Sequence, residues 1–353
     1  MDACREDIRE LSSIYDKESM DTFVTLYFDG EDSSFIPRRV RKIRSVLRGD
    51  ELKNFDKTME QIEKIVSDKF DVAVFASHKN NYFKTIDLPV KPDNALIVDT
   101  SPYIRPLTEL YDEWSDYNLV LLSTNHARIF SVSCGEVSEQ DDVTADIISK
   151  HKKGGWSQPR FQRLREESIQ AFFTEVINEL KETDGPIILA GPGQAKKEFL
   201  DMLPQKLAVS VVAVVDADFD DQHELIQESQ EIIAERNEEQ LSQLMKHIKK
   251  EILREGLAIY GVEDTLEAVK RGQVEVLVVD TNFRAKGWIC EHCQVVEKGS
   301  STTCPYCGNR TSEVDIAEEL IEFAERTGAR VDFTENEEIR DLGHIAALLR
   351  YRD

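Results

Sequence analysis

The sequence lacks a run of about 18 apolar residues, the length a membrane helix requires, so no membrane-spanning helix and no membrane partner are expected. Its start, Met1-Asp2-Ala3-Cys4-Arg5-Glu6-Asp7, is charged and has no apolar stretch, so it does not read as a secretory leader. Basic charge is scarce: 44 Lys and Arg face 68 Asp and Glu in 353 residues, a formal net of −24. That balance argues against a protein that coats nucleic acid through bulk charge, with DNA the least suited partner, though local basic patches stay compatible with RNA. Internal repeats and low-complexity runs are also absent. What is present is apolar matter, 41% of the chain, enough for packed cores and against wholesale disorder. At roughly 100–200 residues per domain, the length predicts two or three domains.

Cysteine is sparse, with six in all, and four of them share one window: Cys290, Cys293, Cys304 and Cys307, spaced C-x2-C-x10-C-x2-C. Two intervening residues let both thiolates of a knuckle face one ion, and Gly308 follows the second knuckle where a tight turn is needed. Four sulfur ligands suit zinc, or iron in the same site; a pair of redox dithiols or a disulfide is the alternative, disfavoured in a reducing compartment. A closed four-thiolate sphere makes the metal structural. His292, inside the first knuckle, reads as a surface residue. Cys134 has no histidine that the sequence pairs with it, so a thiol nucleophile is unsupported.

The apolar pattern alternates strand and helix. Strands are predicted at 22–28, 72–76, 119–123, 128–132, 187–190, 209–215, 274–279 and 344–349. Helices are predicted from Pro37 to about Lys69 with an interruption at Gly49, over 159–180, from about 221 to 255, from 261 to 271 and from 314 to 326. Asn125-His126 reads as a hairpin turn, and 99–106, with two prolines, as irregular.

Two basic islands interrupt the acidic chain. Arg38, Arg39, Arg41, Lys42, Arg44 and Arg48 lie between Ser33 and Gly49 with no acid among them. Lys150, Lys152, Lys153, Arg160, Arg163 and Arg165 form the second, again without an acid. Such density can contact several phosphates, although a solvated helix face is the plain alternative. The second island surrounds the loop 151–161, in which Gly154-Gly155 permits backbone angles closed to other residues and Pro159 suits a first helical turn.

Lys153-Gly-Gly-Trp-Ser-Gln-Pro-Arg-Phe-Gln-Arg-Leu-Arg165 resembles the Gly-Gly-Gln loop of archaeal and eukaryotic class-1 release factors, whose pattern is Gly-Gly-Gln-Ser-x-x-Arg-Phe-x-Arg-Leu. Tyr260-Gly-Val-Glu-Asp-Thr-Leu-Glu-Ala-Val-Lys270 resembles the opening of that family's third domain, Leu348-Leu-Arg-Tyr-Arg352 its final strand, and the double knuckle the archaeal insertion. Pelota is a more distant relative. The resemblance covers about 117–353 and implies an α/β multidomain protein. Its parts are a divergent α+β N-terminal domain over 1–117, a ribonuclease-H-like middle domain over 118–255, and a C-terminal α/β sandwich over 256–353. That sandwich would be like kink-turn-binding ribosomal proteins, with a zinc-ribbon insertion at about 288–310.

The resemblance also implies a cytoplasmic, RNA-binding factor of protein biosynthesis that promotes hydrolysis of peptidyl-tRNA on the large ribosomal subunit, with a translational GTPase as a candidate partner. Gly154, Gly155, Trp156 and Gln158 would be its catalytic loop. Lys152, Lys153, Arg160, Arg163 and Arg165, with Arg38, Arg39, Arg41 and Lys42, would hold RNA. In that family the backbone N–H after the second glycine stabilises the charge on the leaving ribose oxygen. The chain departs twice from the pattern. Trp156 stands where the family has Gln. The N-terminal part lacks the Asn-Ile-Lys-Ser and Tyr-x-Cys-x-x-x-Phe motifs of stop-codon reading, so rescue or quality control of stalled ribosomes is expected. A non-hydrolytic ribosome-binding factor of Pelota type is the alternative. The run from Leu189 to Lys197 imitates a phosphate loop but matches neither nucleotide pattern, so it reads as a structural turn. The acids from Asp216 to Asp221 read as a solvated turn.

Overall fold

The computed structural model describes residues 3–66, 69–113, 115–133, 136–145, 158–181, 183–220 and 222–352. They form two compact units, one of residues 114–240 and one that joins residues 3–113 to residues 241–353.

Residues 3–113 comprise α1 (Ala3–Ser12), β1 (Phe23–Phe28), α2 (Phe35–Val46), α3 (Gly49–Val66), β2 (Val72–Ser77), β3 (Tyr82–Asp87), β4 (Ala95–Asp99) and α4 (Arg105–Glu113). The sheet order is β3-β2-β1-β4, antiparallel throughout. Alternate residues of β1 face opposite ways: Val24, Leu26 and Phe28 pack under α2 and α3, and Tyr27 packs with Ile8 and Leu107 of α1 and α4. Burial on both faces is why β1 and β2 read as unbroken apolar runs. The helix predicted from Pro37 to Lys69 is two helices, divided before Gly49, whose φ of +57° suits glycine. The segment read as irregular ends in α4, with Pro106 in its first turn.

Residues 114–240 hold β5 (Tyr117–Leu122), β6 (His126–Ser133), β7 (Glu136–Thr144), α5 (Gln158–Leu180), β8 (Ile187–Ala190), α6 (Ala195–Met202), α7 (Gln205–Ser210), β9 (Val211–Val215) and the first part of α8 (Gln222–Ile252). The order is β7-β6-β5-β8-β9, with β5, β6 and β7 an antiparallel meander and β5, β8 and β9 parallel. Phe172, Phe173, Val176 and Leu180 of α5 cover one face, and Leu225 and Ile233 of α8 cover the other. After β8 the chain turns at Gly191 (φ +149°), where a Cβ would lie 1.9 Å from the Leu122 carbonyl oxygen. The buried Lys196 then donates to the Gly191 and Gly193 carbonyls and pairs with Asp216. The lysine of the phosphate-loop imitation is thus spent on its own turn.

Residues 241–353 add β10 (Ala258–Tyr260), α9 (Val262–Lys270), β11 (Val274–Asp280), β12 (Lys286–Cys290), β13 (Val295–Lys298), β14 (Ser312–Asp315), α10 (Ile316–Arg326), β15 (Arg330–Thr334), α11 (Glu337–Asp341) and β16 (Ile345–Leu349). The main sheet, β10-β16-β11-β15, is sandwiched: α9 and α10 pack on one face, and α11 with Met245 and Ile248 of α8 on the other. The small sheet β13-β12-β14 carries the cysteines.

Residues 3–113 dock on this C-terminal part through α4 and the residues before it. Arg105, 1% exposed, donates to the Phe283 and Thr281 carbonyls at 3.1 and 2.7 Å and pairs with Glu109 at 2.8 Å. Asp112 accepts from the Phe333 N–H, and Ser101 donates to Glu322.

Candidate functional site

The four cysteines that the spacing singles out meet. Cys290 ends β12, Cys293 closes the turn after it, and Cys304 and Cys307 lie in the loop between β13 and β14. Their sulfurs all lie within 4.8 Å of one another, with 3.5 Å between Cys290 and Cys307 and 3.6 Å between Cys293 and Cys304. A tetrahedral ion with sulfur at ~2.3 Å sets its ligands about 3.8 Å apart, close to these two distances, so the four residues fit a four-thiolate metal site. Each knuckle closes through a left-handed residue after its second cysteine, Gln294 (φ +54°) and Gly308 (φ +77°). The Asn309 backbone N–H beside Cys307 holds that thiol down at about 6, whereas burial and the neighbouring thiols push Cys293 up to about 12 and burial raises Cys290, so an ion would have to displace their protons. His292 is exposed, as expected of a surface residue.

Gln158 is the first residue of α5. Arg160, Phe161, Arg163 and Leu164 follow, all exposed, with Phe161 at 49% and Leu164 at 40%; Arg165 is half-buried. The first buried residue of the described part of the helix is Ile169. The opening turns of α5 therefore present arginines and two large apolar side chains to solvent. Cations and bare apolar surface together suit a nucleic-acid surface better than they suit free solution. Gly154, Gly155, Trp156, Lys152 and Lys153 lie outside the described residues, as does Cys134.

The other island belongs to the other unit. On α2 the buried side is marked by Val40, and Arg38, Arg39, Arg41, Lys42 and Arg44 are exposed. At 100° per residue Arg38 and Lys42 lie opposite Val40, with Arg41 on the flank. Arg38 pairs with Asp32 and Arg44 with Asp56, and Arg39 donates to the Leu96 carbonyl. Arg160, Arg163 and Arg165 of the second island thus lie on a helix of one unit, and Arg38, Arg39, Arg41, Lys42 and Arg44 of the first on a helix of the other.

Carboxylates gather where residues 3–113 meet residues 241–353, and local sequence gives no sign of them. Burial pushes Asp99, Asp112, Glu318 and Glu325 up to about 7 and Glu322 up to about 8, against the Thr100 N–H at Asp99 and Arg326 at Glu322. Raised carboxylates bind protons in the folded state that the unfolded chain has released, so stability falls as pH rises between the two values. Thermal denaturation is expected to give a higher midpoint near pH 5 than near pH 8, with the loss running through about pH 5 to 7 and levelling off near pH 8. A midpoint that is flat or rises over that window would show these carboxyls ionised and compensated in the fold.

Among the described residues, no helix is long and apolar enough to cross a membrane. The family described as bacterial archaeo-eukaryotic release factor family 10 matches residues 102–248, and eRF1 domain 3 matches residues 234–353. The peptide chain release factor subunit 1 of Archaeoglobus fulgidus is 30% identical over 284 residues, covering 72% of this chain and 70% of that protein. That of Pyrococcus abyssi is 27% identical over 312 residues, covering 75% and 74%. Among solved structures, the archaeal termination factor aRF1 aligns over 98% of both chains at 14% identity, with a TM-score of 0.31. S. cerevisiae Dom34, a translation termination-like factor that interacts with Hbs1, aligns over 80% of this chain and 79% of its own at 13% identity and a TM-score of 0.44. On the Archaeoglobus relative, which spans more than two thirds of both chains, the protein belongs to the family of peptide chain release factor subunit 1, the archaeal and eukaryotic class-1 release factors.

Proposed function

We propose that this factor promotes hydrolysis of the ester between nascent peptide and tRNA on the large ribosomal subunit, in rescue of stalled ribosomes and not in stop-codon reading. The observation that carries the reading is the exposed start of α5, Arg160-Phe161-Gln162-Arg163-Leu164, separated by four residues from Gly154-Gly155 in the sequence. A cationic helix start preceded in sequence by two glycines is suited to approach an RNA-lined cavity, with Lys152, Lys153, Arg160, Arg163 and Arg165 against phosphates. There the backbone N–H of Trp156 takes the place of the family's donor to the developing oxyanion, and Gln158 stands close enough in sequence to help order the water. The cations of α2 serve as a second RNA contact.

The strand order of residues 114–240 supports a ribonuclease-H-like middle domain, and the sandwich of the last hundred residues a C-terminal domain like kink-turn-binding ribosomal proteins. The four cysteines are read as a zinc-ribbon insertion in which Cys290, Cys293, Cys304 and Cys307 hold a structural ion. By family membership the reading extends to a translational GTPase as delivery partner and to the cytoplasm. A second reading, a non-hydrolytic ribosome-binding factor, is favoured by one residue, Trp156 in place of the family glutamine. Release of labelled peptide from peptidyl-tRNA on stalled ribosomes separates the two: release supports hydrolysis, and tight binding without release supports the second.

A further inference from the structure

The first cysteine knuckle faces the N-terminal part of the chain. Glu291, between Cys290 and Cys293, is 3% exposed. Its backbone N–H donates to Ser19 Oγ at 3.1 Å, and its Oε1 accepts from Thr100 Oγ1 at 2.7 Å. Gln294, which closes the knuckle, donates from Nε2 to Glu291 Oε2 at 2.7 Å and accepts at Oε1 from Arg326 Nη1 at 2.6 Å. Arg326 in turn donates from Nε to the Ser12 carbonyl at 2.7 Å and lies over the Tyr15 ring at 5.0 Å. From the second knuckle's side, Arg310 pairs with Glu51 at 2.8 Å, and Ser312 Oγ donates to the Ser19 carbonyl at 3.2 Å. A local structural centre needs none of these bonds.

We propose that the four-cysteine centre is a metal-dependent latch that holds residues 3–113 on the C-terminal part of the chain. The inference rests on the reading of the cluster as a metal site. Gln294 sits in a left-handed conformation that a non-glycine residue adopts at a cost, and its side chain is committed to Glu291 and Arg326. Shared ligation of one ion by Cys290 and Cys293 fixes the turn between them, and with it the direction of Glu291 and Gln294. Without the ion, clustered thiols have no attraction to keep that turn closed. The turn relaxes, Glu291 swings away from Ser19 and Thr100, and the N-terminal part loosens from its seat.

The test is amide hydrogen exchange on the full chain, with metal content measured on the same samples. Stripping with a chelator is expected to speed exchange of amides in 16–23 and 99–105 at least about tenfold, the loss of two or three net hydrogen bonds, and zinc to restore it. Glu291→Ala, which keeps all four thiols, is expected to do the same at full metal content, and Glu291→Gln, which retains the acceptor, to do it less. Where stripping unfolds residues 241–353 as a whole, the Glu291→Ala comparison decides. Unchanged exchange in metal-loaded Glu291→Ala overturns the latch alone. Stripped protein that keeps full protection likewise overturns the latch alone, and protein that holds no metal as isolated, takes up none with zinc and keeps full protection overturns the latch and the metal reading together.

Discussion

Gly155→Ala is expected to lower single-turnover peptide release at least about hundredfold, the scale of losing one preorganised donor at a developing oxyanion. Glycine at this position lets the backbone take angles closed to other residues and come close to a ligand, and the Trp156 N–H follows directly. Gly155→Ala leaves Lys152, Lys153, Arg160 and Arg163 unchanged in the sequence. Ribosome affinity, which those cations would carry, is therefore expected to change by no more than about threefold. Loss of release with binding retained assigns the loop to chemistry. A parallel fall in both would assign it to docking.

The largest structural effect is expected at Arg105. Its guanidinium is almost fully buried; two bonds tie α4 to the Thr281 and Phe283 carbonyls, and a third pairs it with Glu109 of the same helix. Arg105→Ala removes a buried cation's bonds to the Thr281 and Phe283 carbonyls, which keep donors from Arg284, and leaves the partly exposed Glu109 without its partner, at a cost of about 3 kcal/mol. For a unit of this size that corresponds to a midpoint lower by roughly 10 °C. Arg105→Lys is expected to recover only part of the loss, because an ammonium cannot reproduce the planar fork that reaches both carbonyls. Thermal denaturation of the three proteins checks this. A midpoint for Arg105→Ala within about 2 °C of wild type would mean that water replaces the lost donors at this seat.

Much of this architecture was legible because its strands are buried on both faces. β1, β2, β5 and β11 read as apolar runs for that reason, and the helices α9 and α10 carry clear apolar faces. β7 was missed because Glu136–Thr144 is a polar, acid-rich edge strand with little apolar content to betray it. β3, another edge strand, was missed on similar grounds, and α1 and α4 because their apolar faces match residues far away in sequence. The cysteine centre was readable from spacing alone, since knuckle geometry is local. Its attachment to Ser19 and Thr100 was not, because a lone Glu291 in a knuckle looks like any surface acid until the partner segment is in place. The joining of residues 3–113 to residues 241–353 in one unit has the same cause. It depends on single bonds such as those of Arg105 and Asp112, which leave no periodic trace.

The central claim is that a class-1 release factor without the family glutamine still releases peptide through a backbone amide. Single-turnover hydrolysis of peptidyl-tRNA on stalled large subunits, with wild type, Trp156→Gln and Gln158→Ala side by side, tests it most directly. Release by the wild-type protein, of the same order as by Trp156→Gln, is the expected result. A silent wild type beside an active Trp156→Gln would contradict it, and would make this chain a ribosome-binding factor whose chemistry is switched off at one position.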